Sequence, residues 1–593
     1  MADRDQPYLK VPEQNQTTLS FCDPTARELK AWVNDLPMAN IGEVSRQLYH
    51  AIIEFNRLKV SDTARIELMD LVRGPIHFVC KQLNAHYLNQ GVVLDDQQRK
   101  VANLAQAMQN HLGVGYKIII EHLLASGSLK HKGLLAKSVH RAMNELLPTV
   151  LRAYQLYLPP PEGIWREIHQ LYQIVSGSNQ QNEPIEDPLE GPALTIAQTY
   201  IKIVLLGACQ PNQLLQRELE VVFASLGQWA SHLSIDEVAN EKSVLVINPN
   251  LDCAAYYRYL TKTSNLSDYL GVNVLPLVRM LHNDHKTLSS PDQGHGLKAV
   301  KADFNLNLLE HLIQSWGGMK QRGFSRSTTG GELSMAVGLT ATHFHIAGGI
   351  GFDALLCGAS SAHDMPFLNA EHKRFHARDT QSVRAQQDVW AGSFDADGAT
   401  KMIQDEDIEF NIHRQETHPD YGGQLVNVSP RGYCLQWRDA PASNLQTGEV
   451  IAIKEDAREH WNLGLVRWIR QGTAFGTQIG VELLAPNSQP CGIRQLQKTG
   501  VQGDYMRALY IPEIKAIGQE ASILTPRMPF NVGNKVTVNR GGNQDTFQLT
   551  KRILTTSIIS QFHIRAIAHR HDSVAVKTDV DERDNFASLW RQL

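Results

Sequence analysis

The chain contains 593 residues, of which 42% are apolar and 20% charged, the composition of an ordinary globular protein with several domains. Its net charge of −4 argues against broad electrostatic binding to DNA or RNA. The apolar run closest to a membrane span, IKIVLLGAC at residues 201–209, is far shorter than the roughly 18 residues that a transmembrane helix needs.

The N-terminus and the cysteines predict the compartment. The first ten residues, MADRDQPYLK, have mixed charge and no apolar core, so they predict no signal peptide. The seven cysteines form no C-x-x-C pair, which argues against a disulfide framework and against a zinc ribbon. These features predict a cytoplasmic protein in a reducing environment.

Apolar residues recur at helical spacing between about residues 24 and 235. The pattern is clearest in three segments, 26–37, 41–60 and 61–88. Asp23 and Ser61 are suited to cap the first and the third of them. Five more helices are predicted, at 97–125, 133–157, 162–176, 191–206 and 211–233. The polar loop 176–192, rich in Pro, Gly and Asn, is predicted to be a flexible connection.

Consecutive helices with short turns indicate either an irregular bundle or a stack of helical hairpins that binds a partner peptide. In WREIHQLY, Trp165, Ile168 and Tyr172 have the spacing of the first helix of a tetratricopeptide repeat, with His169 where that repeat has glycine. No clear 34-residue period accompanies this match, so both interpretations stay open.

A short strand at 243–248 and two helices at about 267–286 and 303–317 complete the N-terminal part. We therefore predict a helical domain over residues 1–320. It would serve as an output or scaffolding surface for a protein partner.

Alternating patterns and turns dominate from about residue 322 onward and indicate small β-barrels or sandwiches. The predicted strand segments are 332–339, 424–437, 448–455, 461–471 and 476–485, followed by 520–526, 534–539, 544–554 and 560–567. Residues 346–420 are charged and His-rich, with little periodicity, and predict a long, partly disordered excursion between strands.

The fold class is therefore α+β and multidomain, with an N-terminal all-α array followed by C-terminal small β-barrels. The first barrel is predicted over 321–495 with its insertion at 346–420. A second barrel is predicted over 505–568, and a charged tail over 569–593.

Two short motifs carry polar chemistry. Arg322 and Arg326 precede the first strand, and Asn427, Ser429 and Gly432 stand at the turn that follows the second. Guanidinium groups match phosphate oxygens and the edge of guanine bidentately. Asn and Ser two residues apart on a strand point to the same face, and glycine permits a close backbone approach. Together they form a polar clamp suited to a planar, doubly anionic nucleotide.

The order R-x-x-x-R, strand, N-x-S-x-x-G, followed by LGLVRW and IGVEL, resembles the PilZ domain, a small β-barrel that binds the bacterial second messenger cyclic di-GMP. The resemblance implies that Arg322 and Arg326 hold phosphates and guanine edges. It implies that Asn427 and Ser429 hydrogen-bond the ligand and that Gly432 lets the backbone approach it. A non-enzymatic receptor without a cofactor is implied, one that controls motility, pili, attachment or biofilm.

One feature departs from the family pattern. Arg326 precedes Asn427 by 101 residues, where PilZ domains have a few tens. A second R-x-x-x-R, at Arg374 and Arg378, is nearer, 49 residues before Asn427. We prefer the first pair because a clean strand pattern follows it directly, whereas none follows the second.

Ligand binding is expected to clamp segment 320–330 onto the barrel and so to change how the helical region sits on it, exposing or hiding a partner surface. The alternative is a protein–protein scaffold whose PilZ-like barrel has lost its ligand. A third possibility is a hydrolase that uses the His-rich excursion, which would require a role for His343.

Two further patterns suggest no site. His343 and His345 are expected on one face of the first strand, which could begin a metal site, but no third or fourth ligand follows at a recognisable spacing. We therefore predict no metal. The glycine-rich segment 347–358, AGGIGFDALLCG, lacks the spacing of a phosphate-binding loop and is predicted to be a mobile loop.

Overall fold

The computed structural model describes ten stretches of the chain: 9–127, 132–289, 304–318, 327, 330–358, 417–429, 432–455, 460–496, 503–513 and 518–567. They belong to two compact units. The first unit holds the N-terminal helices and one β-barrel. The second holds another β-barrel and the described residues 350–358.

Ten α-helices lie before residue 320 in the described chain. They are α1 (Ala26–Asn34), α2 (Ile41–Arg57), α3 (Asp62–Asn84), α4 (Asp96–Ser126), α5 (Lys132–Gln155), α6 (Ile164–Ser176), α7 (Ile196–Ala208), α8 (Gln216–Ala230), α9 (Leu275–Ser289) and α10 (Leu306–Gly317). Ser61 caps α3 as predicted. Thr25 rather than Asp23 caps α1, because the helix begins at Ala26. No described helix has the length and apolar character that crossing a bilayer requires.

Short strands interrupt the helices. One pair is β1 (Pro184–Ile185) with β2 (Leu194–Thr195), and a four-stranded sheet has the order β3 (Ile235–Asp236), β6 (Leu270–Val272), β4 (Leu245–Ile247), β5 (Tyr256–Tyr257). The predicted strand at 243–248 is β4. The predicted helix at 267–286 is wrong at its start, because Gly271 packs closely against Ser243 and residues 270–272 pair with β4.

A buried ionic network lies where the sequence predicts a flexible loop. Asp187, 4% exposed, accepts hydrogen bonds from Arg73 at 2.6 Å and pairs with Arg141 at 2.8 Å. Arg73 also donates to Glu145, which is fully buried, at 2.6 Å. The prediction of a flexible connection at 176–192 is therefore wrong, because a buried carboxylate must stay beside its cationic partners.

The first barrel closes from six antiparallel strands. They are β7 (Glu332–Val337), β8 (Tyr421–Ser429), β9 (Gly432–Trp437), β10 (Val450–Glu455), β11 (Asn462–Gly472) and β12 (Gly476–Ala485). Their order around the barrel is β10-β11-β12-β9-β8-β7. Met335 of β7 faces Tyr421 of β8, and Val337 faces Ile451 of β10. Strands from either side of the long excursion are thus direct neighbours.

Two residues of the helical region complete the core of this barrel. Val92 and Tyr157, each 5% exposed, pack with the inward side chains of the strands. Gln471 of β11 fixes them: its side-chain amide donates to the carbonyls of Val92 at 2.6 Å and Leu156 at 3.0 Å, and its backbone N–H donates to Tyr157 at 2.7 Å. The helices and the first barrel therefore share one apolar contact region.

Strand β7 ends earlier than the sequence pattern indicates. After Gly338, whose φ is +94°, the chain forms α11 (Leu339–Ile346). The expectation that His343 and His345 share one face of a strand is therefore wrong. On a helix, residues two apart diverge by about 200°.

The second barrel also has six strands. They are β13 (Gln489–Gln495), β14 (Met506–Ile511), β15 (Ser522–Pro526), β16 (Lys535–Arg540), β17 (Asn543–Thr555) and β18 (Ile559–Ala566). Their order is β13-β14-β15-β18-β17-β16. Strand β13 falls inside the bounds predicted for the first barrel, 321–495, yet it pairs with β14 and β16. The predicted α+β class, a helical array followed by two small barrels, is confirmed.

Segment 347–358 differs from its prediction. It contains the short helix α12 (Phe352–Leu356), which packs on the second barrel. The prediction of a mobile loop there is wrong, because the apolar side chains of Ala354 and Leu355 are buried.

The buried network generates a stability prediction. Burial alone raises the pKa of the Asp187 carboxyl, but the hydrogen bond and charge of Arg73 and the charge of Arg141 outweigh it and lower that pKa to about 2. Asp187→Asn removes the buried carboxylate that Arg73 and Arg141 share and should lower the free energy of unfolding by about 3–5 kcal/mol. Urea unfolding at pH 7 measures this loss.

The pH dependence supplies a second readout. Because the folded pKa of Asp187 lies below the unfolded value of about 3.9, its contribution to stability is complete above that value and is lost as the pH falls toward 2. In Asp187→Asn the free energy of unfolding should therefore depend less on pH over this acidic range. Glu183→Gln, at an exposed position on the same loop, is the control. Equal stability of both variants at pH 7 would contradict the assignment.

Candidate functional site

The turn between β8 and β9 carries the predicted Asn-Ser-Gly motif. Ser429 pairs with Gly432 across the turn, and its hydroxyl donates to the Gly432 carbonyl at 3.1 Å. Residues 430 and 431 lie outside the described residues. The hydroxyl is therefore held at the barrel rim, with its acceptor lone pairs still available.

The two polar side chains of β8 face outward. Val428, between them, packs against the apolar core of the barrel, so strand alternation directs Asn427 and Ser429 to the outer face. Both residues are half-buried. Among the residues that the structure describes, none makes a hydrogen bond to the Asn427 side chain, so this amide can still donate and accept.

Backbone pairing brings the chain that follows the first arginine motif to the same strand. Ser327 and Val428 exchange two hydrogen bonds, of 3.1 and 3.0 Å. Val428 is the residue between Asn427 and Ser429. Arg326 directly precedes Ser327 in the chain, but Arg322 and Arg326 themselves lie outside the described residues, as do Arg374 and Arg378.

A row of outward residues crosses four strands of the barrel. Asn427 pairs with Cys434, Cys434 with Gly480, and Gly480 with Trp468. A Cβ built on Gly480 would overlap the Trp468 indole, so this half-buried ring lies over the glycine. The aromatic ring of Trp468 and the Asn427 amide thus belong to one row across the barrel, in which Cys434 is only 3% exposed. A nucleobase can stack on such an aromatic ring.

Sequence reasoning missed Trp468 and Gly480 as a pair. Both stand in the quoted segments LGLVRW and IGVEL, but only the register of β11 on β12 sets them opposite each other. A Trp on one strand and a Gly on the next is a signal for such packing once the register is known. The register includes a bulge between Val466 and Trp468 that periodicity alone does not predict.

Gly432 has a packing role of its own. A Cβ built on it would overlap the carbonyl oxygen of Val481 on β12. Strand β12 therefore approaches β9 so closely at this point that any side chain would displace it. The glycine is required by the barrel, whatever else it contacts.

The charges beside the motif are balanced. Glu482 pairs with Gly432 across the strands, and its carboxylate forms a 2.5 Å ion pair with Arg467. Both side chains are partly exposed. An anion bound near Ser429 would therefore meet a neutralised carboxylate rather than an isolated negative charge.

The histidines of α11 are held by ordinary contacts. His343 is 1% exposed, and His345 bonds to the His418 carbonyl through Nε2 at 3.1 Å. Within the described stretches, no group of three His, Cys, Asp or Glu side chains could hold a metal ion.

Comparison with known proteins identifies related sequences. The family model for the N-terminal domain of the cyclic-di-GMP receptor FimW matches residues 27–240, the model for its middle PilZ domain matches 244–490, and the model for the FimW C-terminal β-barrel domain matches 491–567. The cyclic-di-GMP receptor FimW of Pseudomonas aeruginosa is 35% identical over 614 residues, covering 99% of this chain and 98% of that protein. No solved structure matches the chain.

The packing of Gly432 generates a prediction. Gly432→Ala should lower the free energy of unfolding of the first barrel by about 1–3 kcal/mol, because the new methyl group displaces β12. Urea unfolding followed by hydrogen exchange of the β9 and β12 amides measures the loss. Gly331→Ala is the matched control, since a Cβ there meets nothing within 4 Å. Equal stability of the two variants would remove the packing role.

Proposed function

Because the chain belongs to the FimW family of cyclic-di-GMP receptors, we propose that it binds cyclic di-GMP on the outer face of its first barrel. The observation that carries this site is the pairing of Ser327 with Val428. It ties the chain directly after Arg326 to the residue between Asn427 and Ser429. Ser327 and Val428, 101 residues apart in the sequence, are thereby direct neighbours.

The chemistry of the ligand matches these groups. Arg322 and Arg326 are proposed to bind the phosphates and the guanine edge through bidentate hydrogen bonds. The Asn427 amide and the Ser429 hydroxyl would complete the polar contacts. Trp468, whose ring centre lies 5.6 Å from the Arg470 guanidinium carbon, would supply an aromatic ring against which a guanine could stack.

The cellular role follows from a second messenger as ligand. We propose a cytoplasmic binding protein rather than an enzyme, with cyclic di-GMP as its ligand and no cofactor. Its helical region would contact a protein partner. The expected outputs are pili, motility, attachment or biofilm, as the PilZ resemblance implies.

The contact of the helical region with the first barrel supports a path by which ligand binding changes the helical region. Trp468, on the proposed ligand face, and Gln471, which bonds to Val92 and Leu156, lie three residues apart on β11. A shift of this strand on binding would move the contacts of Val92 and Tyr157 in the barrel core. The helical region would respond through this contact as well as through segment 320–330.

The site is tested by isothermal titration of cyclic di-GMP into the full chain. Arg322→Ala/Arg326→Ala should weaken binding by at least about 100-fold, since each charge-assisted contact contributes about 1.5–3 kcal/mol. Arg374→Ala/Arg378→Ala is the matched control and should bind like the unmodified chain. GMP serves as the ligand control.

Each other result has a defined meaning. Loss of binding only in the Arg374/Arg378 variant would move the site to the second arginine pair. No binding by the unmodified chain would overturn the receptor function and favour a scaffold with a degenerate barrel. Circular dichroism of each variant shows whether the fold is kept.

The route through β11 makes a separate prediction. Gln471→Ala removes both side-chain bonds to the helical region, so cyclic di-GMP should bind within about threefold of the unmodified affinity. The ligand-induced change in hydrogen exchange around residues 90–94 and 153–158 should fall by half or more. Gln90→Ala, at an exposed position near Val92, is the control. An undiminished response in Gln471→Ala would exclude this route.

A further inference from the structure

A segment of the long excursion is seated on the C-terminal barrel. Helix α12 lies against β13 and β16. A Cβ built on Gly492, in the middle of β13, would be 2.5 Å from Cδ2 of Leu356 and 3.1 Å from Cδ1 of Tyr505. The Leu356 side chain therefore occupies the place that any larger residue at 492 would fill. Glycine inside a strand commonly marks such a close approach.

A buried amide fixes the end of this helix. Asn539 is 3% exposed, and its Nδ2 donates to the Leu356 carbonyl at 3.1 Å. Its Oδ1 accepts from the Gly542 backbone N–H at 2.9 Å. The amide is thus oriented by the β16–β17 hairpin, and it satisfies a carbonyl that the short helix leaves open.

Phe352 and Leu356 lie four residues apart and so on one face of the helix. The Arg507 guanidinium carbon is 4.8 Å from the centre of the Phe352 ring, a cation–π arrangement. The contact with Arg507 favours an aromatic residue at the first position of the helix. The space over Gly492 favours leucine at the fifth.

Glycines allow the backbone after α12 to approach the barrel. Gly358, with φ of +88°, lies beside Gly541 and Gly542, which have φ of +58° and +87°. A Cβ on Gly358 would be 3.4 Å from the Gly541 carbonyl oxygen. Residues with side chains rarely adopt these backbone angles. The barrel therefore also selects a glycine after the helix.

We propose that the C-terminal barrel is an intramolecular docking module for this segment. Its β13–β14–β16 face recognises a short helix with Phe and Leu four residues apart, followed by glycine. A five-residue helix is not stable in water by itself, so the barrel must supply the energy that forms it. In chain order the segment belongs to the insertion between β7 and β8, so docking holds the start of that insertion.

Hydrogen exchange of the full chain tests the docking. Gly492→Val should accelerate exchange of the amides of residues 355, 357 and 358 by at least about tenfold, because the new side chain takes the place of Leu356. The amides of β14 and β16 should keep their protection, which shows that the barrel still folds. Gly503→Val is the matched control, since a Cβ there meets nothing within 4 Å. Unchanged exchange of the segment in Gly492→Val would overturn the proposal.

Recognition is tested separately in trans. Leu356→Asp should vacate the site in the full chain. A fluorescent peptide with the sequence of residues 347–358, with Cys357→Ser, should then bind to this variant, and the added change Gly492→Val should abolish binding. Absence of peptide binding to the Leu356→Asp chain at millimolar concentration, or equal binding to both variants, would overturn recognition by the barrel. Neither experiment depends on cyclic di-GMP.

Discussion

The pairing of β7 with β8 on one side and β10 on the other closes the first barrel, and the proposed ligand surface depends on that closure. The pairing of β7 with β8 runs from Glu332 opposite Gln424 to Met335 opposite Tyr421, in the chain that follows the described residue Ser327. The two backbone hydrogen bonds between Ser327 and Val428 extend the pairing of this segment with β8. A barrel that opened at β7 would lose its core and the pairing of Ser327 with Val428.

The helical region is joined to this barrel through its apolar core. Tyr157 has a φ of +56°, which side-chain-bearing residues rarely adopt, and it is held there by burial in the barrel and by the backbone bond from Gln471. The buried charges around Asp187 tie its loop to α3 and α5 through Arg73 and Arg141. Both contacts make the helices respond as packed elements rather than as a flexible appendage.

The C-terminal barrel repeats the six-strand architecture with a different outer surface. Gly492 and Asn539 receive a short helix on the second barrel, whereas the row on the first barrel contains Asn427 and Trp468. Two similar scaffolds can therefore serve different recognition tasks, because the outward residues of the strands are independent of those that fill the core.

The sequence by itself determined the order of helices and barrels and the motif with Asn427, Ser429 and Gly432. Periodicity and short motifs depend on residues close together in the chain, so they can be recognised there. The tertiary structure alone decided the burial of Asp187, the helix after β7 and the stacking of Trp468 on Gly480. Each of these results from contacts between distant segments, whose packing energy overrides local propensity and which no local pattern contains.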